Sequence, residues 1–431
     1  FQSQLGSPLS AGGPGQPPPG APTAPNPGRC EADTDTNLTY ADYAAYGQVT
    51  WQITPEWKFE AAARYTDDHK FGLEQFRLIA FDDPGLGLPF LGSFTPAIDI
   101  TPLATIPVNP ATGKPFPGTG VGFYNAATGN EQRRLGASWN ALTGEATLTW
   151  QPDSSTLAYA KYSRGYKTGG FNGGQVAATP ETAPEYVDSI EGGVKKTFGS
   201  VFQINGAAFF YNYQNDQQPL TIQNSSGILF NDIFNIPSVH TYGVELEGIW
   251  HPFQPLVLTA QYTYLTATIV NAGGRCFEDT VDPQAILPGS KTGGCPAPVN
   301  GIQLVNLVGS NLPETPHNKI SLNATYTLNF DLGNLVLSGS FIWKDSTFGS
   351  VFNIPQALAP SYAQGNVRVE WDDAKGRYNV SAFVNNVGNE LGYDIVTAAR
   401  ISPAGQPLDV VSSKSLTFPM TVGGELQYRF R

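Results

Sequence analysis

F-P-M-T-V-G-G-E-L-Q-Y-R-F-R, residues 418–431, sets the pattern by which the whole chain is read. Apolar or small residues fall at Phe418, Met420, Val422, Gly424, Leu426, Tyr428 and Phe430, and polar ones at Thr421, Glu425, Gln427 and Arg429. A period of two describes a strand with one oily and one wet face. Working outward, Tyr43, Ala45, Gly47, Val49 and Trp51 oppose Gln48 and Thr50, and after a T-P-E turn Trp57, Phe59, Ala61, Ala63 and Tyr65 oppose Lys58, Glu60, Arg64 and Thr66. Leu142, Gly144, Ala146, Leu148 and Trp150 repeat the pattern, as do Phe202, Ile204, Ala208 and Phe210.

Thirteen such segments run from Tyr40 to the C-terminus. Their connections alternate between tight turns and long segments. The long ones are 67–132, 167–183, 213–238, 270–315, 345–361 and 387–417, with residues 1–39 as a further Pro/Gly-rich segment. A sandwich has no reason to place all its length at one end; a membrane barrel does. Strands of about 10–13 residues suffice, since a tilted crossing needs roughly 9–11. Trp51, Trp57, Trp150, Trp250, Trp343 and Trp371 stand near strand ends, where an aromatic girdle belongs. Lys319, Ser321, Asn323, Thr325, Asn366, Arg368 and Glu370 supply a polar lining, and a sheet in lipid must close to pair its backbone.

Composition agrees. The chain has 431 residues, 12% aromatic and only 14% charged. A net charge of -12 argues against nucleic acid as a partner. No run of about twenty apolar residues offers a transmembrane helix. Enzyme signatures are missing: His69, His240, His251 and His317 have no ligand-like spacing, and no G-x-S-x-G occurs. The glycines from Gly165 to Gly174 lack the strand–helix context of a dinucleotide fingerprint and instead let a strand end bend into a loop. No cofactor or metal is expected.

A set of motifs in fixed order resembles the TonB-dependent outer-membrane receptor family. These are A-L-T-G-E-A-T-L-T-W-Q-P-D at 141–153, L-A-Y-A-K-Y-S-R-G-Y-K-T-G-G-F-N at 157–172 and P-E-Y-V-D-S-I-E-G-G-V-K-K at 184–196, then N-L-P-E-T-P-H-N-K at 311–319, V-N-N-V-G-N-E at 384–390 and the terminal strand. The resemblance implies an all-β transmembrane antiparallel β-barrel. Residues 40–431 would be the C-terminal part, about 13 of some 22 strands, and 1–39 an extracellular loop or flexible segment. A plug, a TonB-contacting box and about nine strands would precede Phe1.

The implied function is a bacterial outer-membrane receptor that binds a scarce solute, such as a siderophore or glycan, at its extracellular loops. Import would draw on the TonB–ExbB–ExbD system. A passive porin-like channel and a structural barrel are the alternatives. The C-terminus would be periplasmic and the long loops extracellular. Glu145, Glu191, Glu245, Glu247, Arg368, Glu370 and Glu425 would line the interior. Arg164 and Lys167 would sit at the strand rim, near lipopolysaccharide phosphates or an anionic ligand.

Candidate ligand contacts are Tyr124, Asn125, Phe348, Phe352 and Tyr393. Aromatic faces beside amides in sparsely charged loops suit a neutral or weakly charged solute such as a glycan. Cys276 and Cys295 close a loop of about twenty residues and are expected to pair in an oxidising compartment, restraining it by roughly 3 kcal/mol. Two free thiols are the alternative, and Cys30 is left over.

Overall fold

The computed structural model describes residues 32–80, 98–99, 122–172, 181–223, 229–278, 295, 304–401 and 409–430. Cys30 and the Pro/Gly-rich tract before it lie outside the described residues. Thirteen strands form one antiparallel path in strict sequence order. They are β1 (Ala32–Gln52), β2 (Trp57–Ala80), β3 (Asn130–Asp153), β4 (Thr156–Lys167), β5 (Glu185–Phe198), β6 (Phe202–Gln223), β7 (Leu229–Phe253), β8 (Leu256–Asn271), β9 (Asn318–Phe330), β10 (Gly333–Lys344), β11 (Tyr362–Asp373), β12 (Tyr378–Asn385) and β13 (Thr421–Tyr428). Two short strands join the same sheet: Phe123–Asn125 on β3 and Ile98–Asp99 on β2.

The tight turns all lie at one end, and local chemistry makes them. Thr54 Oγ1 accepts the amides of Glu56 and Trp57 at 3.3 and 3.1 Å. Asp153 Oδ1 accepts the Ser155 amide at 2.7 Å. Gly199 and Gly376 occupy left-handed backbone at φ 59° and 63°, where a side chain is disfavoured.

Cross-strand register puts the oily residues of neighbouring strands side by side. Trp57 faces Trp150, and Phe59 faces both Trp51 and Leu148. Phe202 lies between Phe198 and Trp250. This face is exposed: Ile190 is 61% and Leu246 47% accessible. It ends abruptly. After Tyr65, Leu142, Tyr162, Ile190, Phe210 and Tyr242, the next positions on the same face are Asp67, Asn140, Arg164, Asp188, Asn212 and His240. Register places Asp67 opposite Asn140 and lines up Arg164, Asp188, Asn212 and His240 across four strands. The oily stretch is thus about nine residues tall, the height of a tilted bilayer crossing.

Several strands run well beyond that boundary. Residues 67–76 pair with 131–140, inside a segment expected to be loop. Residues 214–223 pair with 229–238, so most of the expected loop 213–238 is strand. β1 begins at Ala32 rather than near Tyr40. Segment 387–417 contains its own hairpin, Tyr393–Ile401 with Asp409–Leu416. These stretches carry Pro, Asn and Asp and lose the polar-in, oily-out alternation, which hides them from a period-of-two reading.

Candidate functional site

The interest lies at the loop end, on the face opposite the oily one. In the band below, that face is polar and its charges are matched between strands. Lys161 meets Glu145 at 2.7 Å, and the Tyr159 hydroxyl donates to Glu191 at 2.6 Å. Glu247 accepts from Asn205 and Gln261 at 2.8 and 3.1 Å. Arg368 meets Glu370 at 2.8 Å and Glu425 at 3.7 Å. These residues, with Glu245 on the same face, form the polar wall expected from the sequence.

Higher up, that face turns apolar at Val239 and Ile269, which are buried in one cluster with Leu220 and Ile236; Ala272, Phe277, Leu307 and Val351 arrive from loops to complete it. Burying a side chain of this size is worth about 1.5–3 kcal/mol, so the loops are held as a cap. Cys276 and Cys295 form a disulfide, with Cys276 adjacent to the buried Phe277.

Hydrogen bonds lock the cap loops together. Asn353, in left-handed backbone at φ 54°, accepts the Asn311 amide at 2.7 Å and donates to the Asn311 carbonyl at 3.0 Å. The Glu314 amide donates to the Phe348 carbonyl at 2.8 Å. The hairpin 393–416 leans on the same loop: Ser412 Oγ donates to the Gln356 carbonyl at 2.6 Å, and Val396 is 1% exposed. Gly349 is required there, because a Cβ would stand 1.9 Å from the Val396 carbonyl oxygen. The hairpin's root is tied to β11, where Gln364 donates to Thr417 Oγ1 at 2.7 Å.

The five expected contact residues divide into two groups. Phe348, Phe352 and Tyr393 belong to this cap. Phe348 sits in a two-strand ladder with Leu358, and Phe352 packs against the buried core. Tyr393 opens the hairpin with the Lys414 ammonium 5.2 Å from its ring centre. Tyr124 and Asn125 lie apart, on the short strand paired with the upper end of β3. The Asn125 side chain accepts the Ala127 amide at 3.0 Å and so serves its own turn. Tyr124 is exposed.

Two clusters were not singled out from the sequence. At the upper ends of β1–β3, Lys70 donates to the Gly169 carbonyl at 2.6 Å. Its ammonium lies 5.4 and 5.7 Å from the rings of Tyr40 and Trp139. Burial pulls its pKa below the usual lysine value, against the opposing pull of Asp68. A Cβ on Gly169 would meet Trp139 at 2.4 Å, so the glycine lets the loop fold onto that ring. Nearby, Glu74 and Arg133 form a buried ion pair. The second cluster holds Asp216, 6% exposed, close to Glu185 and Lys167. Burial raises the Asp216 pKa, despite a 2.6 Å hydrogen bond from Gln218. Only the juxtaposition of distant strands reveals either cluster.

Arg164 stands in the polar row on the oily side. It makes two hydrogen bonds to Asp188, at 2.9 and 3.0 Å, and lies 4.9 Å from the Tyr186 ring. Its charge is therefore matched within the sheet. Lys167, the other rim cation, is 3.9 Å from Glu185. Among the described residues, no three His, Cys, Asp or Glu side chains converge as a metal site.

A family model described as "TonB dependent receptor-like, beta-barrel" matches residues 3–387. Solved structures agree in fold. The ferric yersiniabactin uptake receptor FyuA from Yersinia pestis superposes with a TM-score of 0.61 at 13% identity, covering 93% of this chain and 47% of that one. The siderophore receptor PiuA from Acinetobacter baumannii gives 0.54 at 14% identity, covering 91% and 44%. The copper transporter OprC gives 0.56 at 12% identity, covering 91% and 50%. The chain thus spans about half the length of the receptors it matches. No curated protein sequence matches it.

Proposed function

This chain belongs to the TonB-dependent receptor family, whose barrels are outer-membrane transport proteins, and on that premise we propose that it takes up a scarce solute with TonB-derived energy. The solute is captured at the loop end, outside the cell. It then passes along the polar wall once a plug, supplied by protein beyond these residues, is moved through TonB–ExbB–ExbD. The proposal gives residues 40–431 to the C-terminal part of the barrel and segment 1–39 to an external position. The turns and the C-terminus face the periplasm.

One observation carries the reading. Every tight turn lies at one end, while the long connections at the other interlock through a disulfide, an apolar core and the Asn311–Asn353 bonds. A passive pore needs no such fastening. The cap also supports a receptor surface: it presents Phe348 and Tyr393 beside hydrogen-bonding groups, with few free charges. That chemistry favours a neutral or weakly charged solute, such as a glycan, over a strongly anionic iron chelate. The row from Asp67 to His240 lies where lipopolysaccharide headgroups would meet the barrel. With Arg164 already matched by Asp188, contact there is by hydrogen bonding rather than net charge.

Uptake by cells carrying the gene, with and without TonB, tests the proposal. Loss of uptake in both the gene deletion and the TonB-deficient strain is expected; uptake surviving without TonB would instead establish a passive pore. An epitope inserted between Gly289 and Ser290 should be labelled on intact cells. Affinities of Tyr124→Ala and Tyr393→Ala for an oligosaccharide and a ferric siderophore address the solute. Unchanged binding in both variants removes these residues from the site, and selective siderophore binding overturns the glycan preference.

A further inference from the structure

The polar wall is not uniform. On β4 to β8 its side chains answer one another: Tyr159 donates to Glu191, and Glu247 accepts from Asn205 and Gln261. On β9 to β12 a concavity of about 410 Å³ opens on the same face. Asn323 and Thr325 flank it on β9, Ser338 lies on its floor on β10, and Asn385 stands on the far side, on β12. Among the described residues, none of these four side chains has a hydrogen-bond partner.

One aromatic ring interrupts this polar surface. Phe383 lies opposite Arg368 on β11 and opposite Gly423 on β13. A Cβ on Gly423 would stand 2.4 Å from the tip of the ring, so the ring occupies the space that a side chain there would take. The Arg368 guanidinium is 5.9 Å from the ring centre, and Glu370 and Glu425 match its charge at 2.8 and 3.7 Å. The concavity thus combines an apolar ring with unpartnered amides and hydroxyls, and carries no surplus positive charge. It sits directly below the root of the hairpin 393–416. Asn366, on its lining, accepts the Asn386 amide at 2.9 Å, and Asn386 donates to the Phe418 carbonyl at 3.1 Å. Gln364, one step up the same face, holds Thr417 at 2.7 Å.

We propose that this concavity is a second carbohydrate site, set in the inner wall, which receives one sugar unit of a neutral oligosaccharide after it leaves the cap. The site rests on the transport reading above and places a pause on the inward route. A pyranose presents an apolar C–H face and a rim of hydroxyls that both donate and accept. Phe383 meets the face by stacking, and Asn323, Thr325, Ser338 and Asn385 meet the rim. The volume falls in the range of small-ligand sites, about 300–1,000 Å³. An anionic chelate would instead meet Glu370 and Glu425 beside Arg368. Tyr393, at the start of the hairpin overhead, is the nearest of the expected external contacts along the chain.

Cells carrying the full receptor test this with radiolabelled maltoheptaose, xylohexaose and laminarihexaose. Surface binding is measured in a TonB-deficient strain and uptake in its TonB-competent parent, both per receptor as counted by the epitope at Gly289–Ser290. Phe383→Ala should lower the maximal uptake rate about tenfold while leaving surface affinity unchanged, the split expected of a site used after capture. Phe383→Tyr keeps the ring and should stay near the wild-type rate. Thr325→Val with Ser338→Ala keeps the shape of the wall, removes two hydroxyls and should slow uptake about threefold. Four results would each overturn the proposal: an undiminished maximal rate in Phe383→Ala, an equal loss of surface binding, vancomycin entry into Phe383→Ala cells, or exclusion of all three glycans by the wild type. Vancomycin entry would give this part of the wall to the plug. Glycan uptake that is TonB-dependent and undiminished in Phe383→Ala would strike this site alone and leave the transport reading standing.

Discussion

Two regions of the same strands obey opposite rules. In the band, β7 turns Leu246 outward at 47% exposure and keeps Glu247 on the polar wall. A few residues higher on β7, Val239 is fully buried, on the face that carried Glu247. β8 makes the same exchange, with Gln261 below and Ile269 above on one face. Below the polar row, apolar side chains need no protein partner, because lipid tails are as apolar as they are. Above it, water surrounds the protein, and apolar residues must find each other. The cap is therefore a small conventional core built on top of a membrane wall.

The sharpest test of that contrast compares one truncation in each region. Ile269→Ala removes a fully buried cap residue and should cost about 2–5 kcal/mol. Leu246→Ala on the lipid-facing side should cost less than about 1 kcal/mol in detergent, since no packed cavity is left. Denaturant unfolding followed by hydrogen exchange at residues 236–240 and 267–271 separates them. Equal costs would dissolve the distinction. Breaking the disulfide comes next. Cys276→Ser with Cys295→Ser should destabilise the cap loop by roughly 3 kcal/mol in the chain-entropy account. Limited proteolysis should then cut the loop while the band stays intact; simultaneous loss of both regions would mean that cap and wall unfold as one.

Gly349→Ala probes the junction of the 345–361 loop with the hairpin. Its Cβ would press on the Val396 carbonyl, at an expected cost of about 1–3 kcal/mol, read as faster exchange across 393–401. Unchanged exchange there would show that the hairpin stands without the loop. The smallest effect concerns pH. Burial raises the Asp216 pKa above its unfolded value, so the folded state holds the proton more readily. The stability contributed by this group is full below the ordinary carboxylate range and lost as pH rises through the folded value. Acidification across that window should tighten the upper part of β6 and β7, and Asp216→Asn should abolish the gain. A pH response that survives the substitution would take the effect away from Asp216.

How much of this was legible beforehand follows the same division. The runs from Trp57 to Tyr65, Leu142 to Trp150 and Phe202 to Phe210 declare their faces by alternation, and the observed register agrees pair by pair. The Cys276–Cys295 pair was readable from its short loop and the expected compartment. The extensions 67–76 and 214–223 were not, because their environment changes at the polar row and the pattern changes with it. Of the expected contacts, Phe352 packs against the cap core and the Asn125 side chain accepts an amide of its own turn. An aromatic or amide in a loop looks the same in sequence whether it faces a solute or its own fold.

The sequence alone determined the antiparallel sheet, its strand order and the oily face, because each depends on neighbours a few residues away and on a medium that is uniform across the bilayer. Only the tertiary structure decided what closes the top. Gly349 beneath Val396, Asn353 across from Asn311, and Lys70 between Tyr40 and Trp139 all depend on residues far apart in the chain. Such contacts form when loops of different lengths meet over one face, and no local pattern records which of them will meet.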